Sequence, residues 1–255
     1  SGDDSDVTVV DHVKLFRNLP ELRFEFRIHE QILPAISRAG GEVVWSDLFV
    51  VHSGYDNSPE GQKRKLERDL RILNLELTDR PNHPFTLFNL GMTSADIRQF
   101  DEAIGYLQRS IEYSRPGETQ LRKAYGLLVH SFHQTERVDQ AWYACERGLE
   151  LFPDDVELRF RRAILLQDRG RLHEAAEVLR GILEKPEERH FTSVVAGLRG
   201  YKTRHNLAIV YEELGDLARA EEQWRLITQE VPRYRPGSQG LADVLIKQGR
   251  HAEAR

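Results

Sequence analysis

Four stretches of this chain align on a leucine followed thirteen residues later by an alanine: Leu90 to Ala103, Leu128 to Ala141, Leu207 to Ala220 and Leu241 to Ala254. A fifth stretch, FRRAILLQDRGRLHEAAEVL, keeps the alanine at Ala175 but carries Arg162 at the leucine place. Successive alanines stand 38, 34, 45 and 34 residues apart. A proline follows each of the first four by eleven to thirteen residues, at Pro116, Pro153, Pro186 and Pro232. Proline has no amide hydrogen and clashes with the preceding helical turn, so each one ends a helix and lets the pattern restart. Self-similarity of this kind marks stacked helical units, each burying its apolar face on its neighbours.

The stretch YKTRHNLAIVYEELGDLARAEEQWRLITQEVP shows one unit in full. Leu207, Ala208 and Tyr211 fall on one stripe of a first helix, Gly215-Asp216 turns the chain, and Ala220, Trp224 and Ile227 line a second helix. Ala220 is small because two helix backbones cross there at short range, and Trp224 fills the space one turn further on. The same roles fall to Gly91, Ala103 and Leu107, to Phe132, Ala141, Cys145 and Gly148, and to Ala163, Ala175 and Leu179. Two of the intervals equal the tetratricopeptide period of about 34 residues. Over residues 84–255 the pattern resembles a tetratricopeptide repeat array. The resemblance implies a mainly α fold, an α-solenoid in which helix hairpins wind into a right-handed superhelix, with about four and a half repeats over residues 81–255. Three departures stand out: no tryptophan opens a first helix, Arg162 interrupts the third unit, and the sequence ends inside the second helix of the fifth. The longest interval holds an insertion near 187–200, EERHFTSVVAGLRG. It is expected to project as a loop, or to lengthen a helix that Gly197 and Gly200 stop.

Charge and cysteine content exclude several functions. With 36 basic and 41 acidic side chains the net charge is -5, which lacks the basic excess that draws a phosphate backbone, so no nucleic-acid partner is expected. The single cysteine, Cys145, cannot form an internal disulfide and suits a reducing compartment. The sequence has no apolar run of about 18 residues and no signal-peptide core, so no transmembrane segment is expected and the expected location is cytoplasmic. The chain opens on Ser1-Gly2 and its only methionine is Met92, which reads as a piece of a longer protein.

Residues 1–80 are patterned differently. VTVVDHVKLF (7–16) and LRFEFRI (22–28) are β-branched or aromatic with partial alternation, and Asn18 and Pro20 between them favour a turn, so they read as a hairpin. EQILPAISRAG reads as a short helix closed by Gly40-Gly41, and EVVWSDLFVVHSGY as another extended segment. In residues 57–80, Ser58 can cap and Pro59 can open a helix on which Leu66, Leu70, Leu73 and Leu77 recur at helical spacing; this linking helix is expected to dock the N-terminal piece onto the first repeat. Its basic cluster of Lys63, Arg64, Lys65, Arg68 and Arg71 reads as a solvated face balanced by Glu67, Asp69 and Glu76.

With VKLFRNLPELRFEFRIHEQI, VVHSGY and FNLG in sequence, residues 1–56 resemble the C-terminal end of a bacterial family-two glycosyltransferase domain of the A-type fold, in the subgroup that carries tetratricopeptide repeats after its catalytic part. The resemblance implies that His29, followed by Glu30, stands where the family brings a histidine to a divalent cation, Mn²⁺ or Mg²⁺, that holds the nucleotide-sugar diphosphate. His52 matches another family position without an assigned role. The family's aspartate-any-aspartate motif, its base and its nucleotide-binding strands precede this region, so no catalytic residue is expected here, and no cofactor in this piece alone. Asp4-Ser5-Asp6 reads as a solvated acidic tail.

Repeat arrays of this kind bind extended peptides on the concave surface made by their first helices. Positions facing away from the buried stripe include Phe88 and Asn89 in the first unit, Lys123 and His130 in the second, Phe160 and Arg161 in the third, and Lys202, His205 and Asn206 in the fourth. Asn89 and Asn206 occupy a place similar to the backbone-holding asparagines of the O-linked N-acetylglucosamine transferase repeats, but Leu127 and Arg161 break the ladder. A two-carboxylate clamp is not supported, because the first unit offers phenylalanine where that clamp uses lysine. Two functions stand at this point. One is the distal part of a glycosyltransferase whose repeats present a protein, peptide or glycan acceptor; the other is a protein-interaction scaffold with no transferase role.

Overall fold

The computed structural model describes residues 8–9, 13, 15–44, 46, 58–184, 194–195 and 197–254. The chain divides into two compact units, residues 12–124 and residues 1–11 with 125–255. Helix α5 (Thr119–Gln134) begins in the first and ends in the second.

In the 12–124 unit, α1 (Leu33–Arg38) is a short helix that Gly40 ends in the left-handed region, φ 71°, with the Gly41 amide returning to the Ile36 carbonyl. Only glycine takes that φ without strain, so the sequence signal for this stop was physical. Ile32, Ala35 and Ile36 form a small core with Val13, Leu22 and Val43 against them. The long helix α2 (Pro59–Asp79) starts as expected: the Ser58 hydroxyl accepts a hydrogen bond from the Gly61 amide at 3.0 Å, and Pro59 fixes the first turn. Its apolar stripe is completed by Leu73, which is buried, and it packs on α3 (Pro84–Asp96). Helix α4 (Phe100–Tyr113) returns along α3.

The expected hairpin is not what residues 22–28 form. Glu25 and Gln31 pair with each other through two backbone hydrogen bonds of 2.9 and 3.0 Å, and the residues between them make a tight turn with Phe26 and His29 at positive φ. Alternation fails here for a non-local reason: Phe26 is drawn onto His83 and Phe85, and Arg27 onto Asp79, while Phe24 stays 58% exposed. Thr8–Val9 instead pairs antiparallel with Val194–Val195, both within the unit of residues 1–11 and 125–255. His52 and most of the extended segment expected over 42–55 lie outside the described residues.

In the 125–255 unit, α6 (Val138–Leu151), α7 (Val156–Asp168), α8 (Leu172–Glu184), α9 (Tyr201–Glu213), α10 (Leu217–Glu230) and α11 (Arg235–Lys247) pack in chain order. One continuous core runs from Val156 through Leu179, Leu207 and Trp224 to Val244. Burying each such leucine removes enough apolar surface to contribute about 1.5–3 kcal/mol. Residues 187–193 of the insertion lie outside the described set; Gly197, φ 81°, and Gly200 form the turn that starts α9 rather than a helix stop, and Leu198 is buried in the core.

The alanines sit where the spacing put them. Ala103, Ala141, Ala175 and Ala220 are each 0% exposed. Small residues on the facing helix confirm the short approach: a Cβ on Gly91 would lie 2.6 Å from Leu107 Cγ, and one on Gly148 would lie 2.9 Å from Leu158 Cδ1 and 3.1 Å from Tyr125 Cβ. Arg162, the misfit at the third leucine place, is accommodated by chemistry rather than burial. Its Nε donates to Glu146 Oε1 at 2.8 Å and its guanidinium lies 5.6 Å from the Trp142 ring centre, which Arg169 and Arg171 also cover.

Candidate functional site

The positions that the sequence singles out lie on the first helices of the repeats, in both units. In the 12–124 unit, Phe88 and Asn89 are not open to solvent as expected. Phe88 is 8% and Asn89 2% exposed, and the Asn89 amide donates to the Phe85 carbonyl one turn back at 2.8 Å. The reason lies in the N-terminal turn, whose Phe26 ring stands 4.6 Å from Phe85 with Phe85 6.4 Å from Phe88. Lys123 is half-buried, and its charge opposes the burial that raises the pKa of Asp96.

In the 125–255 unit, His130, Phe160, Arg161, Lys202, His205 and Asn206 are all half-buried. Arg161 donates to Glu157 Oε1 at 2.8 Å, one turn back on α7, while its buried Nε meets no acceptor among the described residues. Glu157 is itself buried, and Gly126 leaves room for it: a Cβ there would stand 3.3 Å from the carboxylate. Asn206 repeats the habit of Asn89, its amide donating to the Lys202 carbonyl at 3.0 Å. Phe160 packs against the main core. Lys202 holds its ammonium 5.8 Å from the Tyr201 ring centre. His205 faces the second helix of its own repeat and the start of the next. Its ring is edge-on to Trp224 at 5.0 Å and shares a 3.2 Å hydrogen bond with the Tyr234 hydroxyl, and desolvation there lowers its pKa below 6.5.

Sequence reasoning missed a set of links at the far ends of these helices. His133 Nε2 meets Asp168 Oδ2 at 2.7 Å, Gln167 Nε2 donates to Glu213 Oε1 at 2.7 Å, and Glu212 accepts from Lys247 Nζ at 2.6 Å and from the Trp224 indole at 2.9 Å. A signal was present: polar side chains recur five and six residues after the repeat leucine place, at His133, Gln167-Asp168, Glu212-Glu213 and Lys247. These bonds tie successive first helices together and leave the middle of each helix to present Arg161, Asn206 and their neighbours.

His29 lies in the 12–124 unit at the positive-φ end of the turn with an exposed surface; partial desolvation lowers its pKa, with Asp69 and Glu30 acting the other way. Lys65 and Arg68 add positive charge beside it. Among the described residues no three histidine, cysteine or carboxylate side chains converge into a metal-holding group. Cys145 offers no alternative chemistry. It is buried with Sγ 3.4 Å from the Leu158 carbonyl, and desolvation pushes its pKa up to about 12, so it stays a protonated thiol.

Helix pairs crossing on buried alanines define this as a mainly α fold, a tetratricopeptide repeat array. Residues 156–180, 202–225 and 240–255 match the family model described as tetratricopeptide repeat. Several solved structures share the fold. A tetratricopeptide repeat protein from Parabacteroides merdae is 18% identical over 76% of this chain and 71% of that one, with a TM-score of 0.59. MamA from Desulfovibrio magneticus is 14% identical over 67% and 88%, with a TM-score of 0.55. YrrB, described as a TPR protein with an unusual peptide-binding site, is 17% identical over 69% and 83%, with a TM-score of 0.52. No curated protein matches the sequence. Among the described residues, no helix is long and apolar enough to cross a membrane.

Proposed function

We propose that the chain is a protein-interaction scaffold whose first-helix face in the 125–255 unit holds an extended segment of a partner protein. The observation that carries this reading is Arg161, half-buried on that face with one guanidinium edge spent on Glu157 and its Nε, among the described residues, without an acceptor. A partner carbonyl or carboxylate would meet the fifth of the Arg161 side chain that stays open, with Phe160 beside it on the same first helix and Lys202 and Asn206 on the next. YrrB, which shares the fold, is described as having an unusual peptide-binding site, and peptide binding is the use proposed here. The test is selection of binding peptides from a displayed library against the folded chain. Enriched peptides are expected to lose at least tenfold in affinity to Arg161→Ala; peptides that bind that variant equally well overturn the reading.

The finer proposal is that residues 1–56 close a glycosyltransferase domain of the family-two kind, so that the scaffold presents a protein or glycan acceptor to it in a cytoplasmic, bacterial enzyme. Support comes from the residues FRNLPELRFEFRIHE. Lys65 and Arg68 near His29, and the lack of a converging ligand group among the described residues, do not make a complete cation site, so no reaction step is derived through a metal. A longer form of the protein should hydrolyse a nucleotide sugar only with Mn²⁺ or Mg²⁺ and lose that activity in His29→Ala; a longer form without such activity leaves the scaffold reading standing alone.

A further inference from the structure

The turn at residues 25–31 has the marks of a bound ligand rather than of a linker. Two of its residues, Phe26 at φ 71° and His29 at φ 56°, occupy the left-handed region without being glycine. Each such placement costs about 1–2 kcal/mol and persists only where other contacts repay it. Those contacts are specific in this unit. The Phe26 ring lies 4.9 Å from His83 and 4.6 Å from Phe85, with the Arg80 guanidinium 5.5 Å from its centre. Arg27 reaches the end of α2, 2.5 Å from Asp79 and 3.9 Å from Glu76, a buried carboxylate that Arg80 also faces at 3.6 Å. Glu25 is held by Arg38 and by the two backbone bonds to Gln31.

The seat under this turn is made by the end of α2 and the start of α3, the first helix of the first repeat. Phe85 and Phe88 stand six and three residues before Gly91, the places held by Glu157 and Phe160 before Ala163 on α7 and by Lys202 and His205 before Ala208 on α9. An aromatic side chain followed by an arginine fills it, the aromatic going to phenylalanine and imidazole faces and the cation to two carboxylates.

We propose that the first repeat carries a recognition seat for an aromatic–basic turn, filled in cis by residues 25–31 and exchangeable with a partner segment of the same Phe-Arg chemistry. The proposal extends the interaction reading to a second site of different specificity. It leaves the Arg161 face untouched, so the two can fail separately. A left-handed Phe26 favours exchange, because release removes the strain that the closed form carries.

The experiment uses the whole chain and a fluorescent synthetic peptide of residues 22–32. Wild-type protein should bind it weakly, since its own turn competes at high effective concentration. Phe26→Ala in the chain should bind it at least tenfold more tightly, and the gain should vanish when the peptide itself carries Phe26→Ala or Arg27→Glu. Arg27→Glu in the chain serves as an independent release that leaves every ring of the seat in place, and it should give the same gain. Folded variants, helical by circular dichroism, that bind no better than wild type overturn the proposal. Loss of helical signal in both variants overturns it as well, because the turn is then a structural clamp and not an exchangeable occupant.

Discussion

The pairs α3–α4 and α5–α6 cross on the same buried alanine as the pairs α7–α8 and α9–α10, yet the family model matches only from residue 156 onward. The difference lies in the turns. Gly170, Gly215 and Gly249 take φ between 70° and 78° after α7, α9 and α11, whereas Arg98 and Glu136 take φ of 62° and 59° at the same place after α3 and α5. All five turns make the same backbone bond, the amide three residues beyond the first-helix end returning to a carbonyl five residues back: Gln99 to Ser94, Arg137 to Phe132, Arg171 to Leu166, Asp216 to Tyr211 and Arg250 to Leu245, at 2.8 or 2.9 Å. The crossing therefore dictates the turn, and glycine only relieves its strain. A repeat is recognisable by its glycine and folded by its alanine.

The largest test of that ranking removes side chains at the crossings of both kinds of pair. Leu107 on α4 and Trp224 on α10 are almost wholly buried, and Trp224 presses on α11 so closely that a Cβ at Gly240 would stand 2.5 Å from its ring. Leu107→Ala should cost about 2–5 kcal/mol and Trp224→Ala about 3–5 kcal/mol in urea denaturation. A near-silent Leu107→Ala would show that the unmatched pair is not packed as a repeat. Next in size, enlarging the alanine itself, Ala103→Leu or Ala220→Leu, should cost about 1–3 kcal/mol in either region, because neither backbone can move apart without opening the neighbouring core.

How much of this was legible in the sequence follows from the range of the interactions involved. The alanine spacing, the Ser58 cap and the Gly40 stop rest on residues within a turn or a hairpin of each other, and the structure has each where the sequence puts it. The strand expected at residues 22–28 fails because Phe26 answers to His83 and Phe85, far along the chain, and no local pattern carries that contact. The candidate surface was legible as a register but not as an environment. His205 turns to Trp224 and Tyr234 of later helices, and Phe88 and Asn89 are covered, whereas the polar pairs at the helix ends were readable as a recurrence and passed over.

Acid separates the two units less sharply than mutation does. His83 caps α3 by accepting the Phe85 amide on Nδ1 at 3.3 Å, and its pKa is lowered by desolvation and by Arg80; that of His205 is lowered by desolvation. Since the folded form binds these protons less readily than the unfolded chain, stability is complete above the ordinary histidine value of 6.5 and falls as pH drops through it, levelling once the pH is below the depressed folded values. Thermal melts between pH 7.5 and 5 should show this fall, and His83→Asn with His205→Gln should flatten it. A slope unchanged by both substitutions would assign the acid response to other groups.

The smallest expected effect bears most directly on the turns. A non-glycine residue in the left-handed region carries about 1–2 kcal/mol of strain, and glycine in its place gives back about 0.5–1 kcal/mol through the greater freedom of the unfolded chain. Arg98→Gly and Glu136→Gly should therefore each stabilise by up to about 1 kcal/mol, raising the urea midpoint without changing its slope. Gly170→Ala and Gly215→Ala should lose a similar amount, and neither set should alter the helical signal. A cavity-free gain at Arg98 and Glu136 would confirm that these two repeats tolerate strained turns because their crossings are already decisive; a loss there would mean that the arginine or glutamate side chain contributes more than the backbone gives up, and would reverse the order of alanine over glycine in α3–α6.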